Sequence, residues 1–433
     1  MRKKIRTLYE LVSTCYEYIS PNIINEQFQR ISNSAKPKTP FSTPQILGKN
    51  THGIEFSDLF CGAGGLSLGF EMEGAVCKLA IDHDESAIET YAVNRSEDST
   101  VLCQSILDFL NDDTKVIPQT PLLIGGPPCQ GFSLANQQQK ENDPRNLLYA
   151  AFLEYASRSN AKVLVMENVP GILKNWTDIE SDLTSRGYSS HIFDMEASNF
   201  GVPQKRHRVF IVGVSKAHIK CTDKFFDDIH KNLQNQKNTS KTFNIADALF
   251  GLPSVKAKNI KNATYLENED FGFTIAPPIH AKNSYTKAIN AEFPDGFLFN
   301  HRTKYNNPRD IELFASLSQG EDTTCEKFAA LDPYKHRNHI FKDKFYRLSE
   351  NLLSKTITAH MYYDCHMYIH PHENRGLTPR EAARIQGFPD QYLFLGKPNE
   401  WYRQIGNAVS PIVGKCLARA ILPAMHKHLG IDT

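Results

Sequence analysis

The chain has 433 residues, 40% hydrophobic and 22% charged, enough for one large domain and a smaller one. Its formal net charge of +1 excludes a global basic field, so any nucleic-acid face must be built from local charge. Nine cysteines with no Cys-x-x-Cys pair exclude a disulfide frame or zinc ribbon as the organising principle and point to a reducing compartment. No signal peptide is visible and no apolar run is long enough to span a bilayer, so a soluble, cytoplasmic protein is expected.

Residues 1–34 open basic, with Arg2, Lys3, Lys4 and Arg6, and then place Leu8, Leu11, Val12, Cys15 and Ile19 on one helical face. Ser20-Pro21 restarts a second short helix. A helical arm packed on the main body is expected, with a small DNA-binding or self-regulating unit as the sharper alternative. Residues 32–53, rich in Ser, Thr, Pro, Lys and Asn, read as a linker.

From Ile54 apolar strands alternate with helices. Strands are expected at 54–60, 76–82, 100–104, 122–126, 162–167, 189–195 and 208–214, and helices at 66–73, 85–93, 147–158 and 178–186. Such alternation implies an α/β fold with a mostly parallel sheet, whose ligands bind beyond the carboxyl ends of the strands. Between 215 and 347 the periodicity breaks down, with basic clusters at Lys256-Ala257-Lys258, Lys261 and Tyr334-Lys335-His336-Arg337. Residues 356–370 alternate like a strand, and Thr378-Pro379-Arg380-Glu381 begins a helix. A Gly-Asn turn and a helix started by Pro411 close the chain. The expected division is an arm and linker at 1–53, a main domain at 54–214 completed by 400–433, and a smaller loop-rich domain at 215–399.

The stretch TPLLIGGPPCQGFSLA, from Thr120, delivers Cys129 from a buried strand to a turn stiffened by Pro127 and Pro128, with a polar tract behind it. That suits a nucleophile held still; a plain buried cysteine is the alternative. The first strand runs into Cys61-Gly62-Ala63-Gly64-Gly65. A dinucleotide fingerprint would need glycine where Ser67 stands. The compact glycine run suits a small anion such as an amino-acid carboxylate, and Asp82, ending the second strand before His83 and Asp84, suits ribose hydroxyls. Together these describe S-adenosylmethionine, with an ordinary tight turn as the bland alternative and NAD as the functional rival.

Glu167, in Met166-Glu167-Asn168-Val169-Pro170, is a carboxylate at the end of an apolar strand, suited to a raised pKa and proton donation or to capping the next helix. Gln204, Arg206 and Arg208 alternate into a strand, which would put them on one face, with two guanidiniums calling for an anion or a carbonyl oxygen. His360, Cys365, His366, His370 and His372 cluster, but strand spacing would split them across two faces, so no metal site is expected.

DLFCGAGGLSLGF, AIDHDESAIETYAVN, GGPPCQGFS, DPRNLLY, MENVPG, FGVPQKRHRVFIVGV, RGLTPREAARIQGFPD and QIGNAV follow one another in this order. On these motifs the chain resembles the DNA (cytosine-5) methyltransferase family over about 54–214 and 356–428. The resemblance implies a Rossmann-like S-adenosylmethionine-dependent methyltransferase fold, with a mostly parallel seven-stranded sheet and a smaller target-recognition domain. It implies Cys129 as the nucleophile at cytosine C6, and Glu167 bonding N3 and the exocyclic amine. Arg208 would hold the base's carbonyl oxygen, Arg206 would support the nearby backbone, and the Pro127 carbonyl would accept from the amine. Pro128, Asn168 and Gln204 belong to the same catalytic motifs. Phe60, Cys61, Gly62, Ala63, Gly64, Gly65, Gly126 and Pro127 would line the cofactor, with Asp82 and His83 at its ribose end, Leu148 nearby, and Asn407 and Val409 closing over it. Where the family commonly has Asp-Ile to meet the adenine, this chain has Ser105-Ile106, with Asp108 slightly later.

The implied partner is double-stranded DNA, with a cognate restriction endonuclease acting on the same site, and the chain is expected to be a monomer. A tRNA substrate is a second reading, but that branch carries Cys-Phe-Thr in its target region, whereas Cys221 is followed here by Thr222-Asp223 and Cys325 by Glu326-Lys327. A non-catalytic binder is a third, opposed by the presence of Cys129, Glu167 and Arg208 together.

Overall fold

The computed structural model describes residues 53–95, 99–128, 144–260, 267–293, 296–324, 326–328 and 345–431. The N-terminal arm, Cys129 with the tract that follows it to Asp143, Lys261 and Tyr334-Lys335-His336-Arg337 lie outside the described residues. The chain divides into two compact units. One carries a long sheet and runs to Thr242 before resuming at Ala408; the other holds Ala92–Arg95 and Phe243–Asn407.

In the sheet unit β1 (Glu55–Leu59), α1 (Gly65–Glu71), β2 (Val76–Asp82), α2 (Glu85–Val93), β3 (Thr100–Cys103), α3 (Ile106–Asn111) and β4 (Leu122–Gly125) follow in turn. Then come α4 (Pro144–Arg158), β5 (Val163–Asn168), α5 (Trp176–Ser185), β6 (Tyr188–Glu196), β7 (His207–Ser215) and α6 (Thr222–Thr239). The seven strands lie in the order β3-β2-β1-β4-β5-β7-β6. The four pairings from β3 to β5 are parallel, while β7 runs antiparallel to both β5 and β6. Central strands read as continuous apolar runs because both faces are covered. Phe70, Phe225, Ile229 and the C-terminal helix cover one face, and Phe109, Phe152, Ile179 and Leu183 the other. Helix α3 is missing from the sequence reading because its six residues are too few to show a period; Ser105 caps it by accepting from the Leu107 amide at 3.3 Å.

Residues 215–242 were expected in the second domain but belong to the sheet unit, because α6 buries Phe225, Phe226, Ile229 and Leu233 in its core. The sheet unit likewise resumes at Ala408, not at residue 400.

The second unit contains α7 (Ile245–Leu249), β8 (Gly272–Ala276), α8 (Ser284–Ile289), β9 (Leu298–Arg302), α9 (Pro308–Ser316), α10 (Pro379–Ile385) and α11 (Pro398–Asn407). It is organised around three fully buried arginines on or beside α10. Arg375 makes a two-pronged pair with Glu381 at 2.8 and 2.7 Å, and Arg384 another with Asp390 at 2.6 and 2.8 Å. Arg380 donates to three backbone carbonyls, of Phe299, Pro389 and Tyr392. Loop carbonyls and carboxylates that burial would otherwise orphan are thereby satisfied.

Residues 356–370 do not form the expected strand. The chain makes a 3-10 turn, Ala359–Tyr362, against α11. Gly406 allows this approach, since a Cβ there would lie 2.2 Å from the Ala359 nitrogen. Lys304 Nζ donates to the carbonyls of Tyr362 and Tyr363 at 2.7 and 2.8 Å, satisfying groups a neighbouring strand would otherwise serve. The clustered histidines are spread over several carboxylates: His366 faces Asp310 and Asp364, His360 also faces Asp364, His370 faces Glu381 and His372 faces Glu350. In the basic cluster at 256–258, Lys256 pairs with Asp270 at 2.7 Å, while Lys258 is buried and its ammonium is pushed down to about 8 by that burial.

The chain then re-enters the sheet unit through α12 (Pro411–Leu429). The segment Pro398–Leu429 does contain a window with the length and hydropathy of a membrane span, contrary to the sequence expectation, but 72% of that window is buried inside the protein, as in a core helix. Helices α1 and α12 meet backbone to backbone: a Cβ on Gly69 would lie 2.2 Å from the Lys415 nitrogen, and one on Gly414 2.7 Å from the Leu66 carbonyl oxygen.

Gly69→Ala is expected to destabilise the protein by about 3 kcal/mol, because neither backbone can yield. Gly171→Ala, whose Cβ meets nothing closer than 4.0 Å, is expected to cost under about 1 kcal/mol. Thermal midpoints of the two variants check this.

Burial pulls His370 down to about 4, and its Nδ1 accepts from the amides of His372 and Glu373 at 3.2 and 3.0 Å. Its folded pKa lies below its unfolded value, so the associated stability is present above about pH 6.5 and is lost as pH falls towards 4, by up to about 3 kcal/mol. Urea unfolding at several pH values should show this slope, and His370→Asn should flatten it.

Candidate active site

The sheet's topology selects the site. Strand order reverses between β1 and β4, and in such sheets the carboxyl ends of the two strands at that point flank a crevice. Leu59 pairs with Ile81 and Gly125, and Gly125 pairs with Met166. The next residue on each strand is then Phe60, Asp82, Gly126 or Glu167. One edge therefore collects residues separated by more than a hundred positions in the sequence.

The β1 turn is unusual from its first residue. Phe60 has φ 57°, a left-handed conformation costing a bulky residue about 1–2 kcal/mol. Gly62 (φ 53°) and Gly64 (φ 78°) continue the turn, which the Cys61 carbonyl closes by accepting from the Gly64 amide at 2.9 Å. Asp82 holds it from β2: one carboxylate oxygen accepts from the Gly62 amide at 2.8 Å and the other from the Asp84 amide at 2.9 Å. His83, mostly exposed, has Nδ1 3.3 Å from Asp82. A Cβ on Gly62 would meet nothing within 4 Å, so the turn opens onto space. An open backbone turn beside a fixed carboxylate fits a cofactor that brings hydroxyls and a small charged group. Cys61, Ala63 and Gly65 are buried and shape the turn from behind, and Leu148 is half-buried in the layer below. Ser105 is engaged in capping α3, and Asp108 is exposed in that helix's first turn, so the family's adenine-facing carboxylate has no counterpart at position 105.

Two strands from Phe60, roughly 10 Å across the sheet, Glu167 accepts from Arg208 Nε at 3.0 Å. Burial raises the Glu167 pKa above the ordinary carboxylate range, opposed by the charges of Arg208 and then Arg206. A Cβ on Gly126 would stand 3.2 Å from Glu167 Oε2, so this glycine leaves the carboxylate clear. Gly125 serves a different purpose, since a Cβ there would strike the Leu59 carbonyl oxygen at 2.2 Å. Asn168 Nδ2 donates to the Pro127 carbonyl at 2.9 Å, so that carbonyl, expected to await a ligand, already has one donor and keeps one further acceptor direction. Pro127 is buried and Pro128 exposed, the last described residues before Cys129.

Gln204, Arg206 and Arg208 do not alternate along one strand as expected. Strand β7 starts only at His207, and Gln204 and Arg206 precede it with exposures of 0% and 3%. Arg208 pairs with Glu167, and the charge of Arg206 also acts on that acid. Asn407 ends α11 in the other unit and is exposed, while Val409 is half-buried on the sheet unit's core. The sequence reading missed Glu196, which accepts from the Arg206 amide at 2.7 Å; nothing in the sequence links residues ten apart across an irregular turn.

Comparison with known proteins decides the family. The model of the C-5 cytosine-specific DNA methylases matches residues 54–423. The chain belongs to this family. It is similar to the type II methyltransferase M.DdeI of Desulfomicrobium norvegicum, at 32% identity over 84% of this chain and 87% of that one. It is similar also to M.AgeI of Thalassovita gelatinovora, at 30% identity over 85% and 99% respectively. Among solved structures, a prophage-encoded DNA modification methyltransferase from E. coli aligns with a TM-score of 0.64 and 27% identity, covering 86% of this chain and 99% of that one. The protein is thus a DNA cytosine-5 methyltransferase, and its seven-stranded sheet is the Rossmann-like methyltransferase sheet expected from the motifs.

Gly126→Ala is expected to lower methyl transfer by roughly 10- to 100-fold, because an acid displaced by a fraction of an ångström loses its alignment, while the melting temperature changes little. Single-turnover rates alongside thermal melts check both halves.

Proposed function

We propose that the protein methylates C5 of a cytosine within one short sequence of double-stranded DNA, as the modification half of a restriction system, with S-adenosylmethionine as methyl donor. The observation that carries this reading is the half-buried Glu167–Arg208 pair at the carboxyl edge, beside the strand that leads into Cys129.

Cytosine C5 is a weak nucleophile. Addition of the Cys129 thiolate at C6 opens the C5–C6 double bond and makes C5 enamine-like. Glu167, favoured in its protonated form by burial, donates to N3 as the thiolate adds. Arg208 keeps the acid in place and offers its remaining N–H groups to the base's carbonyl oxygen. The free acceptor direction of the Pro127 carbonyl suits the exocyclic amine and so favours cytosine over thymine. The cofactor supplies an electrophilic methyl group on a sulfonium centre. Loss of the C5 proton and expulsion of the Cys129 thiolate then restore the aromatic ring, giving 5-methylcytosine and S-adenosylhomocysteine.

A base stacked in a duplex cannot reach the sheet's edge, so it must be flipped out. The turn from Phe60 to Gly65, with Asp82, His83 and Gly126, would hold the cofactor, and Val409 would close over it. The unit holding Phe243–Asn407 would read the target sequence, and the enzyme would act on DNA in the cytoplasm alongside an endonuclease of the same specificity.

DNA from cells expressing the chain should carry 5-methylcytosine at one short motif, and DNA from cells expressing Cys129→Ala should carry none. Base-resolution methylation mapping reads both; an unmethylated genome from soluble wild-type protein would refute the proposal.

A further inference from the structure

We infer that Arg206 is a positioning residue for the cofactor side of the site, not a cation for DNA. The inference rests on the proposed role of Val409, the neighbour of Ala408, in closing over the cofactor.

Arg206 is 3% exposed, so its guanidinium is not presented to a phosphate. Its position is set at both ends. The main-chain N–H donates to Glu196 at the end of β6, at 2.7 Å, and Nη2 donates to the Ala408 carbonyl at 2.8 Å, 202 residues further along the chain. The segment it reaches lacks a common anchor. Ser410 stands at the N-cap of α12, yet its hydroxyl makes no capping bond and, 1% exposed, has no hydrogen-bond partner among the described residues. Pro411, the first helical residue, has no N–H to offer. A serine cap would ordinarily hold the chain at a helix entrance. Here a charge-assisted bond from Arg206 to the carbonyl two residues earlier takes that part. Arg206, Arg208, Val409 and Ser410 also line one small cavity, so this backbone has room to shift once the tether is lost.

The stretch from Arg206 to Arg208 therefore works in two directions. Arg208 holds the acid that meets the base, and Arg206 holds the backbone next to Val409, which is proposed to close over the cofactor. Removing Arg206 should loosen the cofactor and leave the acid's own partner in place.

The test uses the full chain with Arg206→Ala, Arg206→Lys and Glu196→Gln. Affinity for S-adenosylhomocysteine is measured calorimetrically without DNA, and kcat, both KM values and the salt dependence of DNA binding are measured separately. Arg206→Ala should weaken S-adenosylhomocysteine binding and raise the KM for S-adenosylmethionine on the order of tenfold or more. Its kcat at saturating cofactor should change less than about threefold, since interactions made equally in ground and transition states move KM alone. Arg206→Lys should retain part of the affinity. If Arg206→Ala does not fold, Glu196→Gln carries the test with a smaller shift in the same direction. Unchanged S-adenosylhomocysteine affinity with a fallen kcat, or with a shallower salt slope for DNA, would overturn the inference. If the wild type methylates no cytosine while binding still tracks Arg206, the proposed reaction fails and the tether stands. If the wild type binds no S-adenosylhomocysteine, both fail.

Discussion

The approach of β1 to β4 is the constraint on which the site depends. The two strands lie so close at their carboxyl ends that residue 125 has no room for a side chain beside the Leu59 carbonyl. That contact aligns the ends of β2, β1, β4 and β5, and strand order reverses at the same point. A carboxylate from β2, an open turn from β1, a glycine from β4 and an acid from β5 then share one edge. Each is placed by the register of the sheet, which is the condition for a preorganised site.

Buried charge is handled differently in the two units. In the sheet unit, Glu167 is desolvated with Arg208 beside it, and burial still dominates, leaving the acid above the ordinary range. In the second unit, Glu381 is more deeply buried, yet Arg375 holds it well below that range by a two-pronged pair. The contrast is one of geometry. Glu381 also accepts from the Thr378 amide, so its charged form has three close donors, whereas Glu167 has one close arginine nitrogen. One carboxylate is thereby suited to stay charged and hold loops together, the other to move a proton.

The places where sequence reasoning failed share a cause. Residues 356–370 alternate apolar and polar side chains, but among the described residues they form isolated bridges, at Ile369, and no strand; Lys304 serves the carbonyls of Tyr362 and Tyr363, and Gly406 lets the turn approach. Lys258 sits in a basic run and is nonetheless buried, packed over Phe271. Gln204 and Arg206 fit a strand's alternation but precede the strand. In each case local pattern was overridden by a partner distant in the sequence.

The order of motifs determined by itself that this chain is a cytosine-5 methyltransferase, and apolar periodicity located the seven strands to within two residues, because both signals are written in contiguous stretches. The acid, the paired glycines, Asp82 and the prolines before Cys129 were legible as candidates for the same reason. Tertiary structure alone decided which candidates meet. It set Arg208 against Glu167, gave Asn168 to the Pro127 carbonyl, bent Phe60 into the left-handed region and turned Arg206 inward to Ala408. These outcomes depend on strand order, register and helix approach, and contacts spanning up to two hundred residues leave no trace in local composition.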